Sequence, residues 1–243
     1  MNFNIDKYQR KAEILTKSLP YLRDFNQKII VIGYMCSDIL SGEEEQELMR
    51  DITTLQSVGM KLVIVHDTRM GAGKFRENKR LAKLVELCGI KAIGICGVDE
   101  QTLHMTIDNG YIPVITPNDI DTEYVDLNPI DTAQQIASLL HAEKLVYLTR
   151  YQGIETGSDD EDNNHIYSMT VSELSSYIRD NTIDPRLQKM LENAVTAINN
   201  GVTRVHVIGA KLQHALLLEL FSIRGVGTVF MSDERIKYSH ELE

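Results

Sequence analysis

Two turns in this sequence carry residue types that could hold an anion. In IIVIGYMCSD (residues 29–38) an apolar β-branched run ends at Gly33 and then turns. Strand ends of this kind offer backbone N–H groups to a phosphate. This turn has one glycine, a bulky Tyr34–Met35 pair and no lysine. In HDTRMGAGK (residues 66–74) His66 closes a second apolar run, Gly71 and Gly73 bare the backbone, and Arg69 and Lys74 add charge. Such a turn suits a phosphate or a carboxylate. It is not a P-loop, which needs glycine where Thr68 stands and serine or threonine where Phe75 stands. A flexible turn with exposed basic residues fits the same letters.

Other chemistries find less support. There is no local Ser-His-Asp or Cys-His signature and no histidine pair at metal spacing on one helix face. The acidic run SDDEDNN (158–164) lacks the glycine and terminal glutamate of a calcium loop and reads as solvated, so no metal is expected. Cys36, Cys88 and Cys96 have no CxxC spacing and read as reduced thiols.

The elements that must position these turns alternate along the chain. IIVIG, KLVIVH, KAIGIC, YIPVIT, KLVYLT, RVHVIG and GTVFMS read as strands, and amphipathic helices separate most of them. Gly59, Gly89 and Gly110 end three of those helices. The strands are continuous apolar runs, as in a mainly parallel sheet covered on both faces. The fold class is therefore α/β: a three-layer α/β/α sandwich with any site at the carboxyl ends of the strands. Those ends are residues 33–38, 66–74, 96–99, 116–119, 149–153 and 209–211. An extra amphipathic helix precedes the first strand. Ala12, Leu15, Leu19 and Leu22 share one of its faces, which is expected to pack on its own domain rather than reach a neighbouring subunit, and Pro20 is expected to kink it.

Composition narrows the class. The 243 residues are 43% apolar and 25% charged, with a formal net charge of −10. That charge argues against a nucleic-acid partner. No apolar run reaches membrane-spanning length and the first residues lack a signal-peptide core, so a cytoplasmic protein handling small molecules is expected.

Several stretches go beyond pattern. KAEILTKSLPYLRDF, GYIPVIT, HAEKLVYLT, MTVSELSSYI and above all GVTRVHVIGAKLQHALLLELFSIRGVGT resemble the acetylglutamate kinases of the amino-acid-kinase family. The resemblance implies one kinase-like domain over residues 1–243: an N-terminal helix (1–27), an N-lobe (28–125) for the acyl amino acid and a C-lobe (126–243) for ATP. It also implies transfer of the γ-phosphoryl of ATP to the side-chain carboxylate of N-acetylglutamate, a step in arginine synthesis.

The family's working residues are sparse here. Its Lys-x-Gly-Gly after the first strand corresponds to Gly33-Tyr34-Met35-Cys36, and its His-Gly-Gly-Gly to His66-Asp67-Thr68-Arg69. Asp131 of Pro129-Ile130-Asp131 matches the aspartate of Asn-Ala-Asp, with Asn128 available for the asparagine by a one-residue slip. The aspartate of Leu-Thr-Asp has become Arg150, and PRLQK keeps only the lysine, Lys189. The segment between His66 and GYIPVIT is also shorter than the family's, which there carries an arginine for the substrate α-carboxylate. Losing one preorganised donor costs a phosphoryl- or acyl-transfer site on the order of a hundredfold in rate. Acetylglutamate kinase activity is therefore not expected, unless Arg69, Lys74 or Arg150 restores the charge. No cofactor follows from the residues themselves; Mg-ATP follows if the kinase reading holds, with Lys189 and Asp131 as its catalytic pair.

What remains corresponds to the family's arginine site. His206, Glu219 and Gly225 match in type and spacing, and Tyr21 of the leading helix is a candidate lid. Glu219 could accept a bidentate pair from a guanidinium. A helix of core leucines with a solvated glutamate, a cap glycine and a satisfied histidine fits the same letters. Two functions follow: a sensor of arginine or a related metabolite, or a phosphotransferase with a rebuilt site. The family's leading helices build dimers and hexameric rings, so a homo-oligomer is expected.

Overall fold

A computed structural model describes residues 5–97, 99–117, 128–156, 164–235, 237, 238 and 241. Most of the acidic run 158–164 lies outside them, as do Val98, Asn118 and Asp119 of two predicted strand ends.

The first elements are α1 (Ile5–Phe25), β1 (Ile29–Tyr34), α2 (Gly42–Ser57), β2 (Lys61–His66), α3 (Lys74–Leu87), β3 (Ala92–Cys96), α4 (Glu100–Asp108) and β4 (Ile112–Thr116). After them come α5 (Pro129–Leu139), β5 (Lys144–Thr149), β6 (Ile154–Glu155), β7 (His165–Ile166), β8 (Ser168–Thr170), α6 (Val171–Asp180), α7 (Pro185–Asn199), β9 (Arg204–Gly209), α8 (Ala215–Leu220) and β10 (Thr228–Met231). One sheet of eight strands runs through both, in the order β3-β4-β2-β1-β5-β9-β10-β8. Only the β9–β10 pairing in it is antiparallel.

Strand alternation sorts β1 between two cores. Ile30, Ile32 and Tyr34 face a layer built by α2, α3 and α8, with Leu48, Ile52, Leu81 and Leu216 among its members. Val31 faces the opposite layer of α4, α5, α6 and α7, where Leu103, Ile136, Leu174 and Leu191 pack. This is the α/β/α sandwich expected from the sequence. Helix starts follow from local chemistry. Ser41 accepts from Glu44 N–H while Glu44 reaches back to Ser41 N–H, and Thr170 and Glu173 repeat the arrangement for α6.

Four local expectations need correction. The face of α1 does not pack on its own domain along its length: Tyr21 and Phe25 are buried, but Ile14, Leu15 and Leu19 are 65%, 68% and 59% exposed. Only the last turns of α1 reach the α2–α8 layer. β3 is not covered on both faces, because it is the sheet edge and its Ile93 and Gly94 are exposed. The KLQHALLLELFSI helix shortens to six residues, since His214 adopts a left-handed backbone (φ +59°) before it. β6, β7 and β8, two or three residues each, are too short to leave an apolar pattern.

Truncation separates the docked end of α1 from its free face. Phe25→Ala should lower the urea unfolding free energy by about 3–5 kcal/mol, the usual cost of deleting a buried ring. Leu15→Ala, measured on dilute monomer, should stay within about 0.5 kcal/mol of the parent.

Candidate functional site

Gly33 lies inside the sheet and not in the turn after it. It pairs with Val65 of β2 and Tyr147 of β5. A Cβ built on Gly33 would stand 2.7 Å from Tyr147 Cδ1, so the glycine makes room for that ring. Tyr147 is buried, and its hydroxyl donates to Ile130 O at 3.1 Å. Gly33, expected at a phosphate turn, thus stands in the strand before it as a packing glycine, with an aromatic ring where a longer side chain would have to project.

The turn after β1 has an acceptor, and it is internal. Asp67, just past β2, accepts from Ser37 N–H through Oδ1 at 3.2 Å and from Arg186 through Oδ2 at 2.8 Å. Arg186 also donates to Met35 O at 3.2 Å. It projects from the first turn of α7, whose N-cap Asp184 accepts from Arg186 N–H and Leu187 N–H. A carboxylate thus sits on the backbone donor that an incoming anion would use, tied to a cation from α7. Asp67 was visible in the sequence only as a departure from a glycine run, and Arg186 only as part of PRLQK. Nothing local links two residues so far apart in the chain.

The remaining residues of the second turn separate. His66 is fully buried. Its Nδ1–H donates to the carbonyl of Asp67 at 2.7 Å, and its Nε2 faces the Thr116 hydroxyl and the Asn78 amide, each at 3.3 Å. A carbonyl only accepts, which fixes the neutral tautomer. Burial lowers its pKa further. Arg69 is not at hand to replace a catalytic cation: it is held by Glu45 at 3.0 Å and Glu77 at 3.5 Å, two buried carboxylates that Arg80 also pairs. The Tyr34 hydroxyl donates to the same Glu45. Gly71 adopts φ +77° in an exposed turn, Gly73 precedes α3, and Lys74 is the first residue of that helix.

Asp131 and Lys189 do come together. Lys189 Nζ lies 2.9 Å from Asp131 Oδ1, to which Asn193 also donates at 2.8 Å. They join the start of α5 to α7. Asn128 does not serve beside them, because its side chain caps α5 through Ile130 N–H. Arg150 is exposed beyond the end of β5.

His206, Glu219 and Gly225 form a third group, on β9, α8 and the turn that follows. His206 Nδ1–H donates to Glu219 Oε1 at 2.7 Å, while Oε2 accepts from Val226 N–H and Gly227 N–H at 2.7 and 2.9 Å. A Cβ on Gly225, at φ +71°, would meet Glu219 Oε2 at 2.5 Å, so glycine is required there. Lys144, which the sequence reading missed, donates to His206 Nε2 at 3.3 Å and lies 4.7 Å from the ring centres of both Phe25 and Tyr238. Burial lowers its pKa to about 7, with Arg204 adding repulsion. Burial and the neighbouring Lys144 charge bring His206 down to about 4. Burial alone would raise the Glu219 carboxyl, but the hydrogen bond and charge of His206 and the two backbone donors hold it down at about 2. Glu219 is therefore neither solvated nor open to a bidentate partner as it stands. Tyr21 is buried edge-on against Phe221, 6.2 Å between centres, and borders a groove of about 670 Å³ with Lys17, Pro20 and Ile223. Among the described residues no cluster of three or more His, Cys, Asp or Glu could hold a metal ion.

With this geometry in place, the likeness to known proteins can be read. The sequence profile of the amino acid kinase family matches residues 79–209. The acetylglutamate kinase of Campylobacter jejuni is 30% identical over 93% of this chain and 99% of its own. That of Methanosarcina barkeri is 28% identical, covering 94% of this chain and 92% of its own. The latter alignment spans 296 positions against 243 residues here, so the relative carries segments this chain lacks. Among solved structures, an N-acetylglutamate synthase from Neisseria gonorrhoeae, complexed with coenzyme A and N-acetyl-glutamate, superposes with a TM-score of 0.78 at 20% identity. The match covers 91% of this chain and 63% of the synthase. The same enzyme complexed with coenzyme A and L-arginine gives 0.73, at 20% identity over 91% of this chain and 65% of the synthase. This chain spans less than two thirds of either synthase chain, and at that identity the likeness is one of fold.

Two measurements follow from the packing. Gly33→Ala should cost roughly 1–3 kcal/mol in urea unfolding, an overpacking penalty, and Tyr147→Leu in the same chain should recover part of it. The folded pKa of His206 lies below its ordinary 6.5, so the unfolded chain binds more protons in between. Stability should be fully present above pH 6.5 and fall as pH drops toward about 4. His206→Gln should flatten that part of the urea-midpoint profile.

Proposed function

Since the chain belongs to the amino acid kinase family, we propose that it is an acetylglutamate-kinase-like protein that works by binding and not by phosphoryl transfer, a sensor of arginine or a related metabolite. The observation that carries this reading is the Asp67 carboxylate on Ser37 N–H, neutralised by Arg186. Phosphoryl transfer depends almost wholly on positioned donors and cations. At this turn the Ser37 N–H donor and the Arg186 cation are both engaged by Asp67. The residues present do not fit the terminal phosphate of Mg-ATP there, and Arg69, pinned by Glu45 and Glu77, does not mend the loss.

Support for an arginine-like ligand comes from the kept unit of His206, Glu219 and Gly225, beside a groove whose wall includes Tyr21. The synthase of the same fold was obtained with L-arginine bound. A guanidinium entering there would take the place of the His206 N–H on Glu219 Oε1. The exposed Ile14, Leu15 and Leu19 of α1 support a homo-oligomer, dimer or hexamer, closed through that helix. A cytoplasmic location belongs to the same proposal; among the described residues, no helix is long and apolar enough to cross a membrane.

One observation favours a second reading. Lys189 and Asp131 stand 2.9 Å apart on the α5–α7 layer, as an ATP-dependent phosphotransferase acting on N-acetylglutamate or another carboxylate would need. In that case those two residues would hold Mg-ATP.

Two assays separate the readings. L-Arginine should give a calorimetric binding signal that Glu219→Ala removes; no heat and no thermal shift at millimolar arginine would reject the sensor. A coupled ADP-release assay with Mg-ATP over N-acetylglutamate and other acyl amino acids should stay at background. Turnover that Lys189→Gln abolishes would establish the phosphotransferase instead.

A further inference from the structure

Asp131, Lys189 and the Tyr147 ring belong to the α4–α7 side of the sheet, and they leave the other side of its carboxyl edge unexplained. There the strand alternation leads elsewhere. Val146 and Leu148 of β5 face the α2–α8 core, as do Ile208 and Ala210 around the end of β9. Arg150 and Gln152 continue the first series and Leu212 the second. Just past the strand ends, Arg150, Gln152 and Lys211 meet Ile39, Leu212 and Val226 around a cavity of about 250 Å³. Gly209 completes its wall; a Cβ there would press to 3.2 Å from Gln152 Cγ.

Arg69, Arg80, Arg186, Lys189 and Arg204 are each matched to a carboxylate. Among the described residues Arg150 and Lys211 make no ion pair, and no carboxylate lines the cavity. Lys211 also borders the neighbouring hollow of Glu44, Glu47 and Asp51, and Arg150 lies over the Tyr151 ring; with neither in an ion pair, the acid-free lining of this cavity is locally positive in a protein of net charge −10. The guanidinium offers a planar fork to one carboxylate and the ammonium a point charge to another. Ile39, Leu212 and Val226 offer an aliphatic wall, and the Gln152 amide both donates and accepts. The volume, about 250 Å³, lies below the range of about 300–1,000 Å³ typical of drug-sized ligands and suits a small molecule.

We propose that this cavity binds a small aliphatic dicarboxylate, one carboxylate on Arg150, the other on Lys211, and the methylene chain against Ile39, Leu212 and Val226. The site is separate from the Lys189–Asp131 pair and from the His206–Glu219 group, so it neither needs nor implies phosphoryl transfer or arginine binding.

Calorimetric titration of the full chain with glutarate tests it, with neutral glutaramide and inorganic phosphate alongside. Glutarate should bind and glutaramide should not. Arg150→Gln and Lys211→Gln should each weaken glutarate about tenfold or more, the worth of one hydrogen bond to a charged group. Both positions are exposed, and unchanged circular dichroism certifies the fold of each variant. Lys189→Gln should leave glutarate binding as it is. No heat with glutarate, phosphate binding as tightly as glutarate, or a loss that follows Lys189→Gln while Arg150→Gln and Lys211→Gln are silent would each overturn the assignment.

Discussion

A backbone N–H at the end of a buried strand must find an acceptor, and at Ser37 the acceptor is Asp67. That one bond decides what the surrounding edge can be. It joins the turn after β1 to the turn after β2. Through Arg186 it also ties both turns to the first turn of α7. The two turns and α7 therefore meet across a charge-assisted contact made of the protein's own atoms.

The same principle recurs wherever charge is buried. Glu45 and Glu77, both almost inaccessible, are neutralised by Arg69 and Arg80 and capped by the Tyr34 hydroxyl. Near the opposite ends of the strands, His206, Glu219 and Lys144 share protons along a short chain, and Arg204 meets Glu241 at 2.7 Å. Removing one partner from such a pair typically costs about 3–5 kcal/mol, because the other is left charged and dry. These clusters link α2 to α3 and α8 to β9.

How much of this could be read from the letters differs by feature. The alternation of strands and helices was legible because apolar runs and stopping glycines are local. Gly59, Gly89 and Gly110 all take positive φ, as a chain reversing after a helix demands. The role of Gly33 was not legible, since it depends on a tyrosine two strands of sequence logic away that becomes a neighbour only through β1–β5 pairing. Arg69 misled for a related reason: its turn follows a strand end, yet its side chain answers to glutamates on α2 and α3. His206, Glu219 and Gly225 were found together through their resemblance to a family, and the geometry adds Lys144, whose strand position looked like ordinary core. The exposed leucines of α1 kept the spacing of a packed face, and spacing cannot tell which surface will cover it.

The position of β8 has a consequence for how the chain is built. In the large sheet β8 hydrogen-bonds only to β10, which arrives after α6, α7, β9 and α8 have been made. On a ribosome, residues 168–170 must wait, unpaired, until residues 229–231 leave the exit tunnel. The β8 margin of the sheet is thus the final piece to zip shut, and a nascent chain stalled before β10 exposes β9 as a raw edge open to the wrong neighbour.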